Sequence, residues 1–346
     1  MVQGINETAV TPWLTSHVDV LAAPLSYELI SGGRSNLTYA VTGAGGRTVV
    51  LRRPPTSHVL STAHDMAREY RVISALRGTD VPVAPALAFC GDEAVSDRPF
   101  YVMGFVAGHV LRDVAGTEAV LDEPHRGVAG NQLVDVLAAI HRVDVDAVGL
   151  GDFARRDGYL ERQLRRWHGQ FGKSQEQAKE IGVYRPVPLV DEVHALLTER
   201  LPAQQGTAIV HGDYRLTNVM FSPDLRHIAA VVDWEMATLG DPLTDVGLLV
   251  VYQTLAADDD FVMPRMSPDD GFLTPQEMVE RYAGGSTRSL AALDWYVGLG
   301  YFKLAVVAEG IHRRYLQGKT VGTGFDHFGA AVPRLLDAAL QSLTTA

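Results

Sequence analysis

Three side chains whose types, order and spacing could do chemistry together stand between positions 211 and 233. His211-Gly-Asp213-Tyr-Arg-Leu-Thr-Asn218 places an Asp and an Asn five residues apart, and Val231-Val-Asp233-Trp-Glu235 ends an apolar run on a second Asp. Phosphoryl transfer needs three such groups in that order. One carboxylate orients the attacking hydroxyl and takes its proton, an amide oxygen holds a metal ion, and a later carboxylate holds metal bridging the phosphates. Asp213 is therefore the candidate catalytic residue, with Asn218 and Asp233 as candidate ligands of Mg²⁺. That hard ion takes one or two carboxylates and leaves its other positions to phosphate and water. Singly, each residue has a plainer reading as a turn Asp, a strand-entry cap or a strand-end turn residue. The joint spacing favours the chemistry, and an acid closing the apolar run 228–232 needs a partner if buried, which a metal ion supplies.

Short elements must position these groups. Strands are expected over 208–210, 218–221 and 228–232, flanking the loop that carries Asp213. Upstream, 27–30, 37–42 and 48–53 read as three strands joined by Gly-rich turns, after a loose or helical lead-in over 1–24. Met66, Tyr70, Ile73 and Leu76 recur at helical spacing and predict a helix over 61–76. Two more strands follow over 87–90 and 100–106. Beyond Gly108 the pattern turns helical, over 132–142, 159–170, 187–200, 243–254, 275–282, 293–315 and 328–343. The expected fold is α+β. An antiparallel five-stranded N-lobe spans 1–106 and a mostly helical C-lobe spans 107–346, with Gly104 and Gly108 loosening the boundary.

The bulk properties narrow the partners. The 346 residues are 47% apolar and 21% charged, the profile of a globular protein long enough for two cores. A net charge of −11 argues against nucleic acid or an anionic membrane as partner. Cys90 is the only cysteine, which excludes an intrachain disulfide and a cysteine-based zinc site. The N-terminus lacks the basic start and apolar core of a signal peptide, and no apolar run approaches the ~18 residues of a membrane span. A cytoplasmic protein with a small-molecule partner is expected, homodimerisation being left open. Gly172-Lys-Ser174 imitates the end of a phosphate-binding loop, but Trp167 stands where that loop needs glycine. The twelve histidines contain no His-Glu-X-X-His pair.

The His-Gly-Asp variant of the loop resembles the aminoglycoside phosphotransferase and choline kinase family of small-molecule kinases, whose fold is two-lobed and protein-kinase-like. The resemblance runs from about 26 to about 316. Tyr159-Leu-Glu-Arg-Gln-Leu-Arg-Arg-Trp167 and the stretch from Trp295 to Gly310 are similar to the branch fused, in some organisms, to acyl-CoA dehydrogenases. The resemblance implies ATP and Mg²⁺ as cofactors, His211 as a brace of the loop, and Asp245 as an acid supporting it from the next helix. The lysine usual on the third strand is missing: Val49-Val-Leu-Arg52-Arg53 stands there, and no lysine precedes Lys173. Strand alternation sets Arg52 opposite Val49 and Leu51. Arg52 is thus the expected phosphate ligand, paired with Glu69, and Arg53 is expected to be peripheral. Ser35 and Asn36 belong to the loop expected over the nucleotide, and the backbone of Met103 and Phe105 to the strand expected at the adenine edge. Arg215, Glu235 and Trp295 are the expected substrate contacts, Glu235 having a second reading beside a further metal. For Trp295 the plainer reading is one ring of a core stripe.

The implied activity is MgATP-dependent transfer of the γ-phosphate to a hydroxyl of a small metabolite, with a hydroxyacyl-CoA-type acceptor. The alternatives are a nucleotide-binding pseudokinase with a regulatory or scaffold role, favoured by the missing lysine, and an antibiotic phosphotransferase of the same fold.

Overall fold

The computed structural model describes residues 2–31, 36–55, 65–111, 116–117, 120–256, 268, 271–319, 325 and 327–344. Contacts divide the chain into two compact units: Met1–His109 with Asp146–Leu150 and Asn218–Ala237, and Val110–Val145 with Gly151–Thr217 and Thr238–Ala346.

In the first unit, alternating apolar residues build β1 (Ser26–Ser31), β2 (Leu37–Thr42), β3 (Thr48–Arg53), β4 (Ala86–Cys90) and β5 (Phe100–Gly104) into one antiparallel sheet of order β1-β2-β3-β5-β4. Tyr39, Val41, Val49, Leu51 and Val102 are buried on one face. The lead-in supplies their cover: α1 (Glu7–His17) buries Val10 and Leu14 in the same cluster. Helix α2 (Met66–Ala75) is capped by Asp65, which accepts from the Arg68 N–H; positions 61–64 of the expected helix lie outside the described residues.

The stretch 208–240 divides between the two units. Strand β6 (Ala208–Val210) belongs to the second unit and pairs with a short strand absent from the sequence reading, β9 (Thr238–Gly240), whose three residues carry no readable alternation. Strands β7 (Val219–Phe221) and β8 (Ile228–Val231) form a hairpin in the first unit. There the Phe221 N–H donates to His109 O, and Val231 N–H to Pro82 O. The contiguous division at 106/107 is therefore not how the contacts divide the chain, because this hairpin bonds back to the earlier segment. Gly108 has a packing role beyond loosening the backbone. A Cβ there would lie 2.1 Å from the Phe221 carbonyl oxygen. Gly108→Ala should lower stability by about 1–3 kcal/mol, read as a smaller urea midpoint at unchanged m-value.

The second unit holds α3 (Glu123–Arg142), α4 (Tyr159–Glu180), α5 (Leu189–Glu199), α6 (Leu243–Leu255), α7 (Pro275–Gly284), α8 (Leu293–Leu316) and α9 (Phe328–Thr344). Thr274 and Glu277 close a capping box at the start of α7. Helices α6 and α8 cross closely: a Cβ on Gly247 would lie 2.5 Å from the Tyr296 carbonyl. That approach sets the faces from which Tyr252 and Lys303 reach the loop of Asp213. Among the described residues no helix is long and apolar enough to cross a membrane.

Candidate active site

In the first unit the site is built around Arg52. Its register partners are Thr38 on β2 and Tyr101 on β5, so its side chain leaves the sheet on the face opposite Val49 and Leu51. Nε lies 3.0 Å from Glu69 Oε2 and Nη2 lies 2.5 Å from Asp233 Oδ1. Burial works to lower the Arg52 pKa, but Glu69, Tyr101 and Asp233 outweigh it and push it up, so the guanidinium stays charged. Glu69, on α2, is almost fully buried and also accepts from Tyr101 Oη at 3.0 Å and Asn36 Nδ2 at 3.2 Å. Burial pushes the Glu69 pKa up against the pull of Arg52. The same Asn36 amide donates to Glu235 Oε2 at 3.3 Å, which sets Glu235 within this network.

Arg53 is not peripheral. Alternation turns it to the core face, where it is 1% exposed, and its Nη2 reaches outward to Asp97 Oδ1 at 2.8 Å. A long arginine stem can line a core while its head finds an acid.

Asn218 and Asp233 flank the open end of the β7–β8 hairpin, and the Val232 N–H donates to Asn218 O at 2.9 Å. Antiparallel pairing thus brings together two residues fifteen positions apart. Asp233 has φ 66° and ψ 55°, a left-handed conformation that Asp tolerates better than most residues. An amide oxygen and a carboxylate are hard donors, and this set suits Mg²⁺, which completes its shell with water and phosphate. No group of three His, Cys, Asp or Glu residues able to cage a metal occurs among the described residues. Met103 lies in β5 between partners on β3 and β4, and Phe105, just past the strand, is half exposed. Ser35 lies outside the described residues.

In the second unit the site is the loop of Asp213. Gly212 takes φ +82°, open to glycine at little cost. Asp245, at the start of α6, accepts the His211 N–H at 2.7 Å and the Gly212 N–H at 2.9 Å, bracing the loop from the helix. His211 Nδ1 lies 3.3 Å from the Asp213 N–H and accepts from it. Lys303 Nζ donates to Gly212 O and lies over the Trp167 ring. Burial lowers the Lys303 pKa, opposed by Asp213 and Asp245. Asp213 Oδ1 accepts from the Tyr252 hydroxyl, and Arg215 Nε is 3.5 Å from Oδ2, its guanidinium over the Tyr252 ring. Burial and then Asp213 raise the Tyr252 pKa well above its ordinary value, keeping the phenol a donor. Trp295 sits in the core, 4% exposed, its indole N–H donating to Leu197 O at 2.9 Å. This placement is the core-stripe reading. Sequence reasoning missed Tyr101, Tyr252 and Lys303 as site neighbours. A buried-helix lysine in a chain with four lysines was the available signal for the last.

Asp245 also anchors a buried relay: His141 Nε2 is 3.5 Å from its Oδ2, and His141 Nδ1 is 2.8 Å from the Tyr282 hydroxyl. Burial pushes the His141 pKa below its ordinary 6.5. A depressed folded value means a contribution present above the unfolded pKa and lost as pH falls toward the folded one. The urea midpoint should therefore decline as pH drops from about 7.5 to about 5.5, and His141→Gln should flatten part of that slope.

Residues 26–272 match the Phosphotransferase enzyme family. Acyl-CoA dehydrogenase family member 11 of Gallus gallus is 29% identical over 330 residues, which cover 92% of this chain and 40% of that protein. The chain thus spans well under half of that relative. A crystal structure from Ralstonia eutropha jmp134, named for the aminoglycoside phosphotransferases, is 32% identical, covers 99% of both chains and has a TM-score of 0.84. Amicoumacin kinase hAmiN, solved with AMP-PNP, Ca²⁺ and Ami, shares the fold at TM-score 0.58 and 16% identity, over 96% of this chain and 93% of that one. The sheet-bearing N-terminal part and helical C-terminal part are those of the kinase-like α+β fold.

Proposed function

Because this chain belongs to the phosphotransferase enzyme family, we propose that it transfers the γ-phosphate of MgATP to a hydroxyl of a small metabolite. The observation that carries this reading is the buried ion pair between Arg52 on β3 and Glu69 on α2. A strand-three cation braced by a helix carboxylate is the phosphate grip of kinase-type phosphoryl transfer. Here an arginine takes the lysine's place, with a planar fork suited to phosphate oxygens. The missing lysine is therefore weak support for a pseudokinase.

Asp213 orients the acceptor hydroxyl and takes its proton as the new bond to phosphorus forms and the bond from the γ-phosphorus to the β,γ-bridging oxygen breaks, releasing ADP. Tyr252 fixes one oxygen of that carboxylate, and Asp245 and Lys303 fix the backbone beside it. Asn218 and Asp233 would hold Mg²⁺, which would supply neutralising charge for the phosphates. Arg52 steadies the phosphates, and Arg215 approaches the acceptor. Positioning and charge neutralisation account for the catalysis. AMP-PNP in amicoumacin kinase supports ATP as donor. Similarity to the acyl-CoA dehydrogenase family member supports a hydroxyacyl-CoA-type acceptor.

A phosphotransfer screen tests this. The protein is incubated with MgATP and a panel of 3- and 4-hydroxyacyl-CoAs and aminoglycosides, and products are read by mass spectrometry. A phosphorylated acyl-CoA formed by the intact protein and not by Asp213→Ala is the expected result. Phosphorylated aminoglycosides alone would move the acceptor class. No product together with no ATP binding would overturn the kinase reading.

A further inference from the structure

Helices α4 and α8 carry a second polar group that no step of phosphotransfer uses. Glu309 on α8 is 3% exposed; its Oε2 accepts from Arg185 Nη2 at 2.6 Å and its Oε1 from Gln175 Nε2 at 2.9 Å. Among the described residues, Arg185 Nε and Gln175 Oε1 beside this carboxylate, and His312 Nδ1 and Arg313 Nε within about one turn of it on α8, are buried without a hydrogen-bond partner. Native interiors pair nearly all such atoms, and the Arg185 and Arg313 Nε–H groups among these four are donors suited to an anionic acceptor. Arg313 lies one turn beyond Glu309 on the same helix face, and its Nη1 reaches Gln317 Oε1 at 3.4 Å. The His312 ring is held against Gly329, where a Cβ would come within 2.6 Å of it. Burial, with Arg185 adding to it, lowers the His312 pKa, which leaves the ring neutral. Among these described groups, two guanidiniums stand within about one helical turn of one carboxylate, a surplus of one positive charge. The Arg185 side chain is 33% exposed, so the group opens to solvent.

We propose that this cluster is an anion pocket that receives a phosphate or carboxylate group of the acceptor. Only the word acceptor rests on the function proposed above. Water could satisfy the two Nε–H donors but would leave the surplus charge, whereas an anionic oxygen meets both needs. The position suits a substrate end. Lys303, whose Nζ holds Gly212 O, lies over Trp167, and Glu309 and Gln175 follow six and eight residues later on the same two helices. At ~1.5 Å per residue this separates the pocket from the Asp213 loop by about 9–12 Å along the helices. The matching acceptor carries its hydroxyl and its acidic group on the order of 10 Å apart, a description that excludes polycationic antibiotics.

The test is titration of the full chain with inorganic phosphate and, separately, succinate at low ionic strength. Sodium chloride at matched ionic strength is the control, and the thermal midpoint is the readout. One of the two anions should stabilise the wild type, and the better one identifies the group the pocket takes. Arg313→Gln should weaken that anion at least about tenfold, the worth of a charge-assisted bond. Neither anion acting on the wild type, or the same titration curve for Arg313→Gln, overturns the pocket; phosphate binding at the nucleotide side would give the second result. This arm needs no turnover, so it decides the pocket even if no acceptor is phosphorylated. Once an acidic acceptor is in hand, Arg313→Gln should raise its KM at unchanged kcat.

Discussion

Asp213→Asn should lower kcat for phosphotransfer by about 10²–10⁴-fold, the range for losing a general base, with nucleotide affinity unchanged. The variant isolates chemistry from architecture. An Asn side-chain oxygen can still accept from Tyr252, and the loop backbone is held independently through Asp245 on His211 and Gly212 and Lys303 on the Gly212 carbonyl. What disappears is the ability to take the hydroxyl proton and the negative charge that faces Arg215. Steady-state rates on the acceptor found by the screen, with calorimetric titration of an ATP analogue, separate the two effects. A kcat within about threefold of wild type would remove Asp213 from proton transfer and leave it a loop residue.

Arg52→Met should be the most destabilising change in the sheet, by about 3–5 kcal/mol, because it leaves a buried carboxylate without its counter-charge. Glu69 is 1% exposed, and Tyr101 and Asn36 alone would then face it. Its pKa, already raised by burial, would rise further, and the variant would bind a proton on folding. Stability of Arg52→Met should therefore be best below the unfolded Glu value and worsen as pH rises from there through the raised folded value, opposite in sign to an ordinary paired carboxylate. Adding Glu69→Gln should recover much of the loss, since a neutral amide tolerates the site better. Nucleotide affinity should not recover with it if Arg52 is the proposed phosphate grip, since both variants lack it. Urea unfolding across pH and nucleotide titration of the single and double variants read these two outcomes. Full nucleotide affinity in the stable double variant would show that Arg52 serves the fold alone.

Much of this was legible because the signals are local. Alternation over six residues is enough to place β2 and β3, and a strand of fixed pleat forces Arg52 and Arg53 to opposite faces. Which face holds the core is another matter. Arg53, the residue read as peripheral, is the one inside, because α1 covers its side of the sheet and Asp97 waits at the rim. Alternation states that two neighbours differ; it does not say which is buried. The lead-in was legible only as loose or helical, and the three-residue β9 not at all, since a short helix and a short strand gain their stability from the partner they meet.

The division of labour in the site follows the same line. Sequence alone supplied the candidates for the proposed chemistry: an Asp, an Asn and a second Asp at set spacings, on a loop and at a strand end, because phosphoryl transfer restricts which groups can serve and short elements restrict their spacing. It also supplied Glu69 as the partner of Arg52 and Asp245 as the support of the loop. Tertiary structure alone decided who holds these groups. Tyr252 reaches Asp213 from 39 residues away, Lys303 reaches Gly212 from 91, and Gln175 meets Glu309 across 134. Such contacts exist because helices α4, α6 and α8 pack at one set of faces, and that choice is made by apolar burial summed over the whole unit. A hydroxyl or an ammonium has no local pattern that announces the carbonyl or carboxylate it will meet.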